Sequence, residues 1–491
     1  MNTLLVYPET PVTFWSFHHA LRLVGKKASE IPLGMITMAA MLPETWMVRL
    51  VDMNVRPLSE DLLAWADLVM VGGMGVHRES FEHVVRRANG AGKTVIAGGP
   101  MATLEQPNLL GVDHWLLGEV ESIMPAFLSD FMQGKAENIY RSTTFPDLFL
   151  TPSPRWDLLE MNRYAAMDIQ FSRGCPHECE FCTIATLNGR VPRSKSAGQV
   201  IQELEGLYRA GWRGGVFVVD DNFIGNKSFV RDKLLPAVML WSAEHDYPFA
   251  FSTEATITLD QDDLLVGRMV DAGFRSVFLG IETPEDGGLE GCKKRINRKV
   301  DLKRAVHRLQ QRGLLVNAGF IVGFDEDSEK VFHNQHRFIQ ESGISTAMVG
   351  LLNAPRGSKL YERLKTQKRL IGKPGVNNTN GQLNFVPKMA YRKLMMGYRW
   401  LLSTIYTPSD LYDRIVTLLG RYEKPRIRAG RVRFRLTPLF RALWRLGVLD
   451  QGRRHFWKLI RWTLRKRPRQ IELAVTLWAY GYHFRRVADA L

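Results

Sequence analysis

The stretch Gln170-Phe-Ser-Arg-Gly-Cys175-Pro-His-Glu-Cys179-Glu-Phe-Cys182 contains three of the four cysteines of this chain within eight residues. Cysteines this close together are unsuited to a disulfide framework and are typical of a metal or cluster site in a reducing compartment. Three thiolates spaced C-x3-C-x2-C can each bind one iron of a cubane cluster and leave the fourth iron open. The alternative is a zinc site completed by His177, although zinc ligands usually come in separated pairs. The remaining cysteine, Cys292, is isolated and is not predicted to be a ligand.

Apolar runs typical of buried strands surround this stretch and alternate with amphipathic, helix-like segments. The runs are 168–172, 215–220, 249–253, 276–280, 315–322 and 347–352, and helices are predicted at 197–210 and 299–311. Six βα units in succession predict a partial (βα)6 barrel. In such barrels the chemistry lies at the C-terminal ends of the strands, and the first cysteine follows the first predicted strand.

A second α/β series precedes the barrel. Its strand-like runs are 3–7, 48–52, 68–72, 94–98 and 115–118, and their alternation with helices predicts a Rossmann-like, doubly wound parallel sheet. Three of these runs lead into glycines, namely Gly72, Gly73, Gly98, Gly99 and Gly118. Glycines at strand ends let the backbone approach a ligand, so this half is predicted to hold a cofactor or nucleotide. Tight turns without a ligand are the alternative.

The 491-residue chain is basic, with 66 Lys+Arg against 50 Asp+Glu, and its 45% hydrophobic composition excludes wholesale disorder. Residues 421–491 hold 19 of the basic residues and 4 of the acidic ones, which is nearly all of the formal net charge of +16. A proline-rich linker is predicted at 145–156, and the strand-helix alternation fades beyond 366. We therefore predict domains at 1–145, 160–365 and 366–491, the last one basic and mainly helical.

The cysteine stretch, with Phe181 immediately before its last cysteine and a (βα)6 pattern behind it, resembles the radical S-adenosylmethionine (SAM) superfamily. The resemblance implies that Cys175, Cys179 and Cys182 hold a 4Fe-4S cluster, on which SAM is cleaved reductively to a 5′-deoxyadenosyl radical. It also implies SAM-facing positions for Phe181, Asp220, Asp221, Glu254, Glu282, Gly319 and Gly323, the last two within a G-x-I-x-G-x-x-E pattern at 319–326. Each of the acidic residues could instead end a strand or pair with an arginine.

A glycine-lined domain before such a barrel resembles the cobalamin-binding class of this superfamily. The stretches 31–34, 219–225 and 280–284, with a DUF4070-like C-terminal extension, are most similar to the group that includes the hopanoid C-2 methylases. The resemblance implies cobalamin as a third cofactor, an external electron donor of the flavodoxin or ferredoxin type, and radical methylation of an unactivated carbon of a lipid-like substrate. The chain departs from the D-x-H-x-x-G pattern, because Asn54 replaces the cobalt-binding histidine and Pro57 replaces the glycine. His77 could lie near the corrin or serve as a loop hydrogen-bonder.

Two other functions remain open on the sequence. One is a cobalamin-domain radical SAM oxidoreductase or cyclase without methyl transfer, and the other is a nucleic-acid-binding protein with a structural cluster. The C-terminal segments 440–445 and 455–462 interleave arginines with aromatic residues, which suits an anionic membrane surface, a nucleic acid or a solvated basic face. Membrane contact is the favoured interpretation. The N-terminus lacks the basic lead-in of a signal peptide, and the segment 471–484 is too short to span a bilayer, so a cytoplasmic location is expected.

Overall fold

The N-terminal part of the chain forms a six-stranded parallel sheet in the computed structural model, which describes residues 1–106, 109–372, 381–430 and 436–490. The strands are β1 (Asn2–Tyr7), β2 (Met47–Asp52), β3 (Leu68–Gly72), β4 (Thr94–Gly98), β5 (His114–Leu117) and β6 (Ile139–Arg141). Helices α1 (His18–Val24), α2 (Leu33–Ala39), α3 (Glu60–Trp65), α4 (Arg78–Gly90), α5 (Gly99–Glu105) and α6 (Met124–Met132) connect them. The spatial order β2-β1-β3-β4-β5-β6 places the switch in chain direction between β1 and β3, where open α/β sheets bind ligands.

The five predicted strand-like runs of this half coincide with β1 to β5. Strand β3 is buried along its whole length, which explains its continuous apolar sequence. Strand β6 lies at the edge of the sheet and is only partly buried, so its residues alternate too weakly to be recognised by hydrophobic pattern.

The second sheet is also parallel and six-stranded, in the order β14-β13-β12-β11-β10-β7. Its strands are β7 (Ala166–Ile169), β10 (Gly214–Val218), β11 (Phe249–Ala255), β12 (Phe274–Glu282), β13 (Leu315–Val322) and β14 (Thr346–Leu351), and the short strands β8 (Ser172–Arg173) and β9 (Arg193–Ser194) form a separate antiparallel pair. The helices of this part are α7 (Ile184–Leu187), α8 (Ala197–Arg209), α9 (Lys227–Phe229), α10 (Leu235–Glu244), α11 (Asp263–Ala272), α12 (Asp286–Gly291), α13 (Arg295–Arg298), α14 (Leu302–Gln311), α15 (Lys330–Ser342) and α16 (Lys359–Thr366). Strand order follows chain order throughout, as a partial (βα)6 barrel requires, and the predicted α/β fold class is confirmed.

The first barrel strand is shorter than the predicted run 168–172. The carboxylate of Asp220 accepts the backbone N–H groups of Phe171 at 2.8 Å and of Ser172 at 2.9 Å. These N–H groups therefore bond to a side chain instead of a neighbouring strand, and β7 ends at Ile169.

Segments from outside the barrel cover its two edges. Residues 28–29 run parallel to the start of β7, where Ala28 and Ser29 accept the N–H groups of Ala165 and Ala166. At the opposite edge the hydroxyl of Tyr406 donates to the carbonyl of Ala347 on β14. The space between the two edges is thus closed by the N-terminal domain on one side and by the C-terminal part on the other.

The C-terminal part is helical, with α17 (Tyr391–Ile405), α18 (Pro408–Arg421), α19 (Leu436–Trp444), α20 (Arg453–Lys466) and α21 (Ile471–Ala488). Residues 373–380, 431–435 and 491 of the predicted domain 366–491 lie outside the described residues. The aromatic rings of Phe14, Tyr406 and Phe484 meet within 6 Å of one another, so α21 packs against the segment that follows β1. Among the described helices, we find none with the length and apolar character needed to cross a membrane.

Candidate active site

The three clustered cysteines lie on the loop 174–192, here called the cluster loop, between β8 and β9. Gly174 begins this loop with φ +97°, and its N–H donates to the Asp221 carboxylate at 2.9 Å. The side-chain amide of Asn188, near the other end of the loop, donates to the same Asp221 oxygen at 2.9 Å. Asp221 therefore ties both ends of the cluster loop to the C-terminal end of β10, the barrel position at which catalytic groups collect.

The thiols of Cys175, Cys179 and Cys182 are half-buried and close enough to influence one another's ionisation. Burial raises the pKa of all three, that of Cys182 to about 12. Neutral thiols are therefore favoured until a cation binds, and iron ions supply the positive charge that three buried thiolates require. This donor set fits an iron-sulfur cluster.

Phe181 lies on the cluster loop and Cys292 lies next to it, and neither is predicted to be a cluster ligand. The ring of Phe181 packs at 6.3 Å from that of Phe324. The carbonyl of Cys292 accepts the N–H of Glu180 at 3.0 Å, and its thiol is buried. Cys292 therefore supports the loop through its backbone.

Asp220 and Asp221 are adjacent in sequence but differ in surroundings. Asp220 is buried and already accepts three hydrogen bonds, from the backbone of Phe171 and from the backbone and hydroxyl of Ser172. Burial raises the pKa of Asp220 to about 7. The structure thus places Asp220 in the framework under the cluster loop, whereas Asp221 is partly accessible at the rim of the barrel.

Glu254 and Glu282 lie near the ends of neighbouring strands, β11 and β12. Burial raises the pKa of Glu254 to about 8, and no hydrogen bond or ion pair to its carboxyl occurs in the part of the chain that the structure describes. The Glu282 carboxylate, by contrast, accepts a hydrogen bond from buried Lys294 at 2.6 Å. A side chain at Gly280 would overlap both partners of this ion pair. We call the set Asp220, Asp221, Glu254 and Glu282 the carboxylate edge.

The two predicted glycines of β13 and its loop have separate structural effects. Gly319 pairs with Gly280 on β12. A Cβ atom at Gly319 would lie 3.2 Å from the ring of Phe278, so the lack of a side chain at Gly319 makes room for that ring. Gly323 has φ +106°, a left-handed conformation that L side chains rarely adopt. Its N–H donates to Asp327 at 2.7 Å, which closes the turn after β13.

Across from the barrel, the glycines Gly72, Gly73, Gly98, Gly99 and Gly118 form the C-terminal rim of β3, β4 and β5, here called the glycine edge. Gly99 and Gly118 have φ +87° and +100°, and the N–H of Gly118 donates to the hydroxyl of Thr103 at 2.9 Å. A Cβ atom at Gly118 would lie 2.9 Å from Ser142. Side chains at these positions would meet neighbouring atoms of the domain, so glycine keeps the ends of β3, β4 and β5 as bare backbone.

The structure shows which groups in this half bond to His77 and to Asn54, the residue that replaces the cobalt-binding histidine of the pattern. His77 accepts the N–H of Met74 on Nδ1 at 3.1 Å, and its Nε2 donates to the hydroxyl of Thr10 at 3.0 Å. Burial lowers the pKa of His77 to about 4, so the ring is neutral. Asn54 accepts the N–H of Thr10 and donates to Asp52. His77 is thus a loop hydrogen-bonder with both ring nitrogens engaged.

Comparison with known families matches all three parts of the chain. Residues 27–128 match the B12 binding domain, residues 169–339 the radical SAM superfamily, and residues 358–491 a domain of unknown function, DUF4070. An uncharacterized methyltransferase from Synechocystis sp. is 39% identical over 99% of this chain and 91% of its own length. The hopanoid C-2 methylase of Rhodopseudomonas palustris is 30% identical over 93% of this chain and 88% of its own. The chain belongs to the cobalamin-binding class of the radical SAM superfamily.

A solved structure supports the same fold. The cobalamin-dependent SAM radical enzyme OxsB, with aqua-cobalamin bound, superposes with a TM-score of 0.64 over 100% of this chain and 80% of its own, at 14% identity. The chain is thus a radical SAM enzyme of the group named as methyltransferases, and the cofactors of this class are a 4Fe-4S cluster, SAM and cobalamin.

In this radical SAM enzyme an aromatic contact between the two cofactor-holding domains was not revealed by sequence patterns, and the region around it is here called the chamber region. The ring of Trp15, from the segment after β1, lies 4.8 Å from that of Phe278 of β12 at an angle of 49°, and Trp15 remains 43% exposed. These two rings form an apolar contact between the N-terminal domain and the inner face of the barrel. No motif marks Trp15, because only the fold brings it to a strand more than 250 positions away in the printed sequence.

Two further carboxyls face this region. The Asp168 carboxylate on β7 accepts the N–H of Ile31 at 3.0 Å, while its second oxygen is buried and lacks a partner within the described ranges. Glu30, next to Ile31, has an accessible side chain. Burial and the nearby Glu30 raise the pKa of Asp168. The only available sequence signal was the position of Glu30 immediately before the stretch 31–34.

Proposed function

We propose that this enzyme transfers a methyl group to an unactivated carbon of a lipid-like, hopanoid or isoprenoid substrate. The observation that carries the proposal is the arrangement of two cofactor edges, one lined by glycine and one by carboxylates and cysteines, in domains joined by the Trp15–Phe278 contact. The similarity to the hopanoid C-2 methylase supports the substrate class. The domain division 1–145, 160–365 and 366–491 is part of the proposal.

The residues of this chain have separate roles in that reaction. Cys175, Cys179 and Cys182 would hold the cluster, and the glycine edge would hold cobalamin. Asp221, Glu254, Gly319 and Gly323, with Phe181 and Glu282, would surround SAM, while Asp220 fixes the framework of the loop. Glu254 is the strongest candidate for a direct contact, since its carboxyl is the one in this set with no partner among the described residues. When bound, the cluster and SAM supply a carbon radical and cobalamin supplies the methyl group.

The chamber residues would bind the substrate. The adjoining rings of Trp15 and Phe278 offer an apolar surface between the domains for a polycyclic skeleton. Glu30 and Asp168 provide hydrogen-bond acceptors at one side of the same space. This distribution suits a largely apolar substrate that carries a polar group.

A turnover experiment tests the proposal. The full chain, purified anaerobically with its cofactors, is reduced and supplied with SAM bearing a deuterated methyl group and with a pentacyclic triterpenoid. We expect 5′-deoxyadenosine together with a triterpenoid that has gained the labelled methyl group. An oxidised or cyclised product without the label would instead support the reading without methyl transfer, and the absence of 5′-deoxyadenosine would contradict radical chemistry.

We further propose that the enzyme is cytoplasmic, receives electrons from a flavodoxin or ferredoxin, and contacts the inner face of the membrane through its C-terminal domain. Phe440, Trp444 and Leu449 are each more than half exposed on α19 and the π-helical turn Arg445–Leu449. The single acidic residue of 436–467, Asp450, is buried and pairs with Arg485. Nine exposed basic residues surround the apolar side chains, namely Arg441, Arg445, Arg453, Arg454, Lys458, Arg461, Arg465, Lys466 and Arg467.

This surface, here called the basic apolar face, favours a bilayer over a nucleic acid. Apolar side chains ringed by cations match the interface of an anionic membrane, in which the chains enter the acyl region and the cations meet phosphates. Aliphatic Val448 and Leu449 are also exposed, and they cannot stack on bases. The face adjoins the chamber region, because α19 and α21 both pack against α1, which follows Trp15.

A further inference from the structure

A buried ion-pair network links the glycine edge to the cluster loop. Glu119 directly follows Gly118 at the end of β5 and is 8% exposed. Its carboxylate accepts hydrogen bonds from Arg173 at 2.7 Å and from two nitrogens of Arg193 at 3.0 and 2.5 Å. One carboxylate of the N-terminal domain thus holds two arginines of the barrel domain.

A second carboxylate completes the network. Glu121 accepts two hydrogen bonds from Arg173, at 2.8 and 3.1 Å, and one from the hydroxyl of Thr151 at 2.9 Å. Burial alone would raise the pKa of Glu121, but Arg173 holds it below its ordinary value. The network pairs two carboxylates with two guanidinium groups, so its formal charges balance.

The two arginines mark the ends of the cluster loop. Arg173 on β8 pairs with Arg193 on β9, and the three cysteines lie in the nineteen positions between them. Because Glu119 binds both arginines, it closes the base of this hairpin and attaches it to the rim of β5 at the same time. The cluster loop has no comparable buried ion pair to the N-terminal domain elsewhere in the described residues.

We propose that Glu119 and Glu121 are positioning residues that set the separation of the cluster from cobalamin and so couple SAM cleavage to methyl transfer. The coupling of SAM cleavage to methyl transfer rests on the proposed function. Buried, bidentate arginine-carboxylate pairs are directional, and loss of one partner leaves a charge that must move or find water. A shift of about 1 Å between reacting groups is enough to slow a transfer step about a hundredfold.

The network is not the only attachment between the domains, so its loss need not unfold the protein. Tyr164 donates to Asp52 at 2.9 Å, and Ile31 donates to Asp168 at 3.0 Å. These contacts attach the N-terminal domain to β7 and to the segment just before it without using Glu119 or Glu121. The neutral variants Glu119→Gln and Glu121→Gln should therefore keep both cofactors, but the distance between the two cofactors should be less fixed.

The test compares these two variants with Glu178→Gln. Glu178 is on the cluster loop but pairs with Arg190 and Lys359 at the solvent surface, so it controls for a charge change in the loop. Iron, sulfide and corrinoid are measured first in each anaerobically purified full-length protein. The ratio of 5′-deoxyadenosine to methylated product and the electron paramagnetic resonance coupling between Co(II) and the reduced cluster are then recorded.

We expect full cofactor loading in all three variants. In Glu119→Gln the ratio of 5′-deoxyadenosine to product should rise about tenfold or more, and the magnetic coupling should weaken or broaden, with a smaller change in Glu121→Gln. Glu178→Gln should match the wild type. If Glu119→Gln fails to fold, the inference is tested with Glu121→Gln alone, because in that variant Glu119 still binds both arginines.

Unchanged ratio and coupling in Glu119→Gln and Glu121→Gln would overturn the positioning role. A proportional loss of 5′-deoxyadenosine and product would also overturn it, since the residues would then serve SAM binding. If the wild type itself yields no methylated product, the proposed function fails, and the magnetic coupling still decides whether the network sets the distance.

Discussion

The glycine edge of the first sheet and the carboxylate edge of the second sheet differ in how far their polar groups are already satisfied. On the glycine edge, His77, Asn54 and Thr103 all have hydrogen-bond partners within the domain. On the carboxylate edge, Glu254 has none among the described residues, and burial raises its pKa. The glycine edge is therefore suited to bind a ligand through its shape and backbone groups. The carboxylate edge is suited to a ligand that carries hydrogen-bond donors or positive charge.

Replacing any of Cys175, Cys179 or Cys182 by alanine should abolish cluster binding beside the carboxylate edge, which is the largest effect expected. We expect loss of the brown iron-sulfur absorbance and of all 5′-deoxyadenosine, because a cubane cluster needs three thiolates here. Iron analysis and anaerobic turnover measure both effects. Cys292→Ala is the matched control and should keep the cluster, since Cys292 meets the loop through its carbonyl; a cluster retained in the Cys175→Ala protein would contradict the assignment.

Glu254→Gln should weaken SAM binding about tenfold to a hundredfold, the effect of losing a charged hydrogen bond in a buried site. The ionised carboxylate forms only as the pH rises through about 8, so wild-type affinity for SAM should increase between pH 6.5 and 8.5. Equilibrium dialysis of SAM against the reconstituted protein measures this slope.

The pH response of Glu254 also depends on the charges that face it, which are Glu30, Asp221, Lys294 and Glu282. In Glu254→Gln the slope should disappear, while corrinoid content stays the same. Glu205→Gln, on the outer helix α8, is the control. An equal slope in the wild type and in Glu254→Gln would assign the titration to one of the other groups.

Gly118→Ala should affect ligand binding at the glycine edge. An alanine at φ +100°, with its Cβ 2.9 Å from Ser142, costs about 1–3 kcal/mol and displaces the rim of β5. We expect reduced corrinoid retention with SAM binding preserved, measured by absorbance and dialysis. Gly134→Ala, also at a positive φ but with nothing within 4 Å, separates backbone strain from the effect on the edge; equal corrinoid loss in both variants would refute a specific role.

The smallest effect is expected on the basic apolar face, which includes no residue of either edge. The double substitution Arg453→Gln and Arg454→Gln should weaken binding to phosphatidylserine vesicles by about 2 kcal/mol, roughly 30-fold, and Trp444→Ser should add to this. Vesicle flotation at physiological salt measures the change. Leu240→Ser removes an exposed apolar side chain from the barrel surface and should have no effect. Binding to single-stranded DNA in place of vesicles would support the nucleic-acid reading.

The sequence was sufficient for features that are local. The buried parallel strands are continuous apolar runs, so the fold class could be predicted, and the cysteine spacing within one loop was enough to propose the cluster ligands. The roles of the individual site residues remain predictions. Strand β6 was missed because it is short and half exposed.

The remaining features depend on contacts between distant segments. Glu119 meets Arg193 and Ile31 meets Asp168 across 74 and 137 positions, and no periodic pattern or spacing reports such a contact. The pairing of Glu282 with Lys294 and the full engagement of Asp220 likewise became visible only in the fold. Hydrophobic patterns in a sequence predict which residues are buried. They do not predict which carboxylate lacks a hydrogen-bond partner in the fold.

The central claim is that one chain holds a cluster and cobalamin on facing edges. The most direct test is to purify the protein anaerobically from cells supplied with cobalamin and to measure iron, sulfide and corrinoid in the same sample. The account predicts about four irons and four sulfides with close to one corrinoid per chain. A full cluster without corrinoid would contradict it and would leave the glycine edge to another ligand.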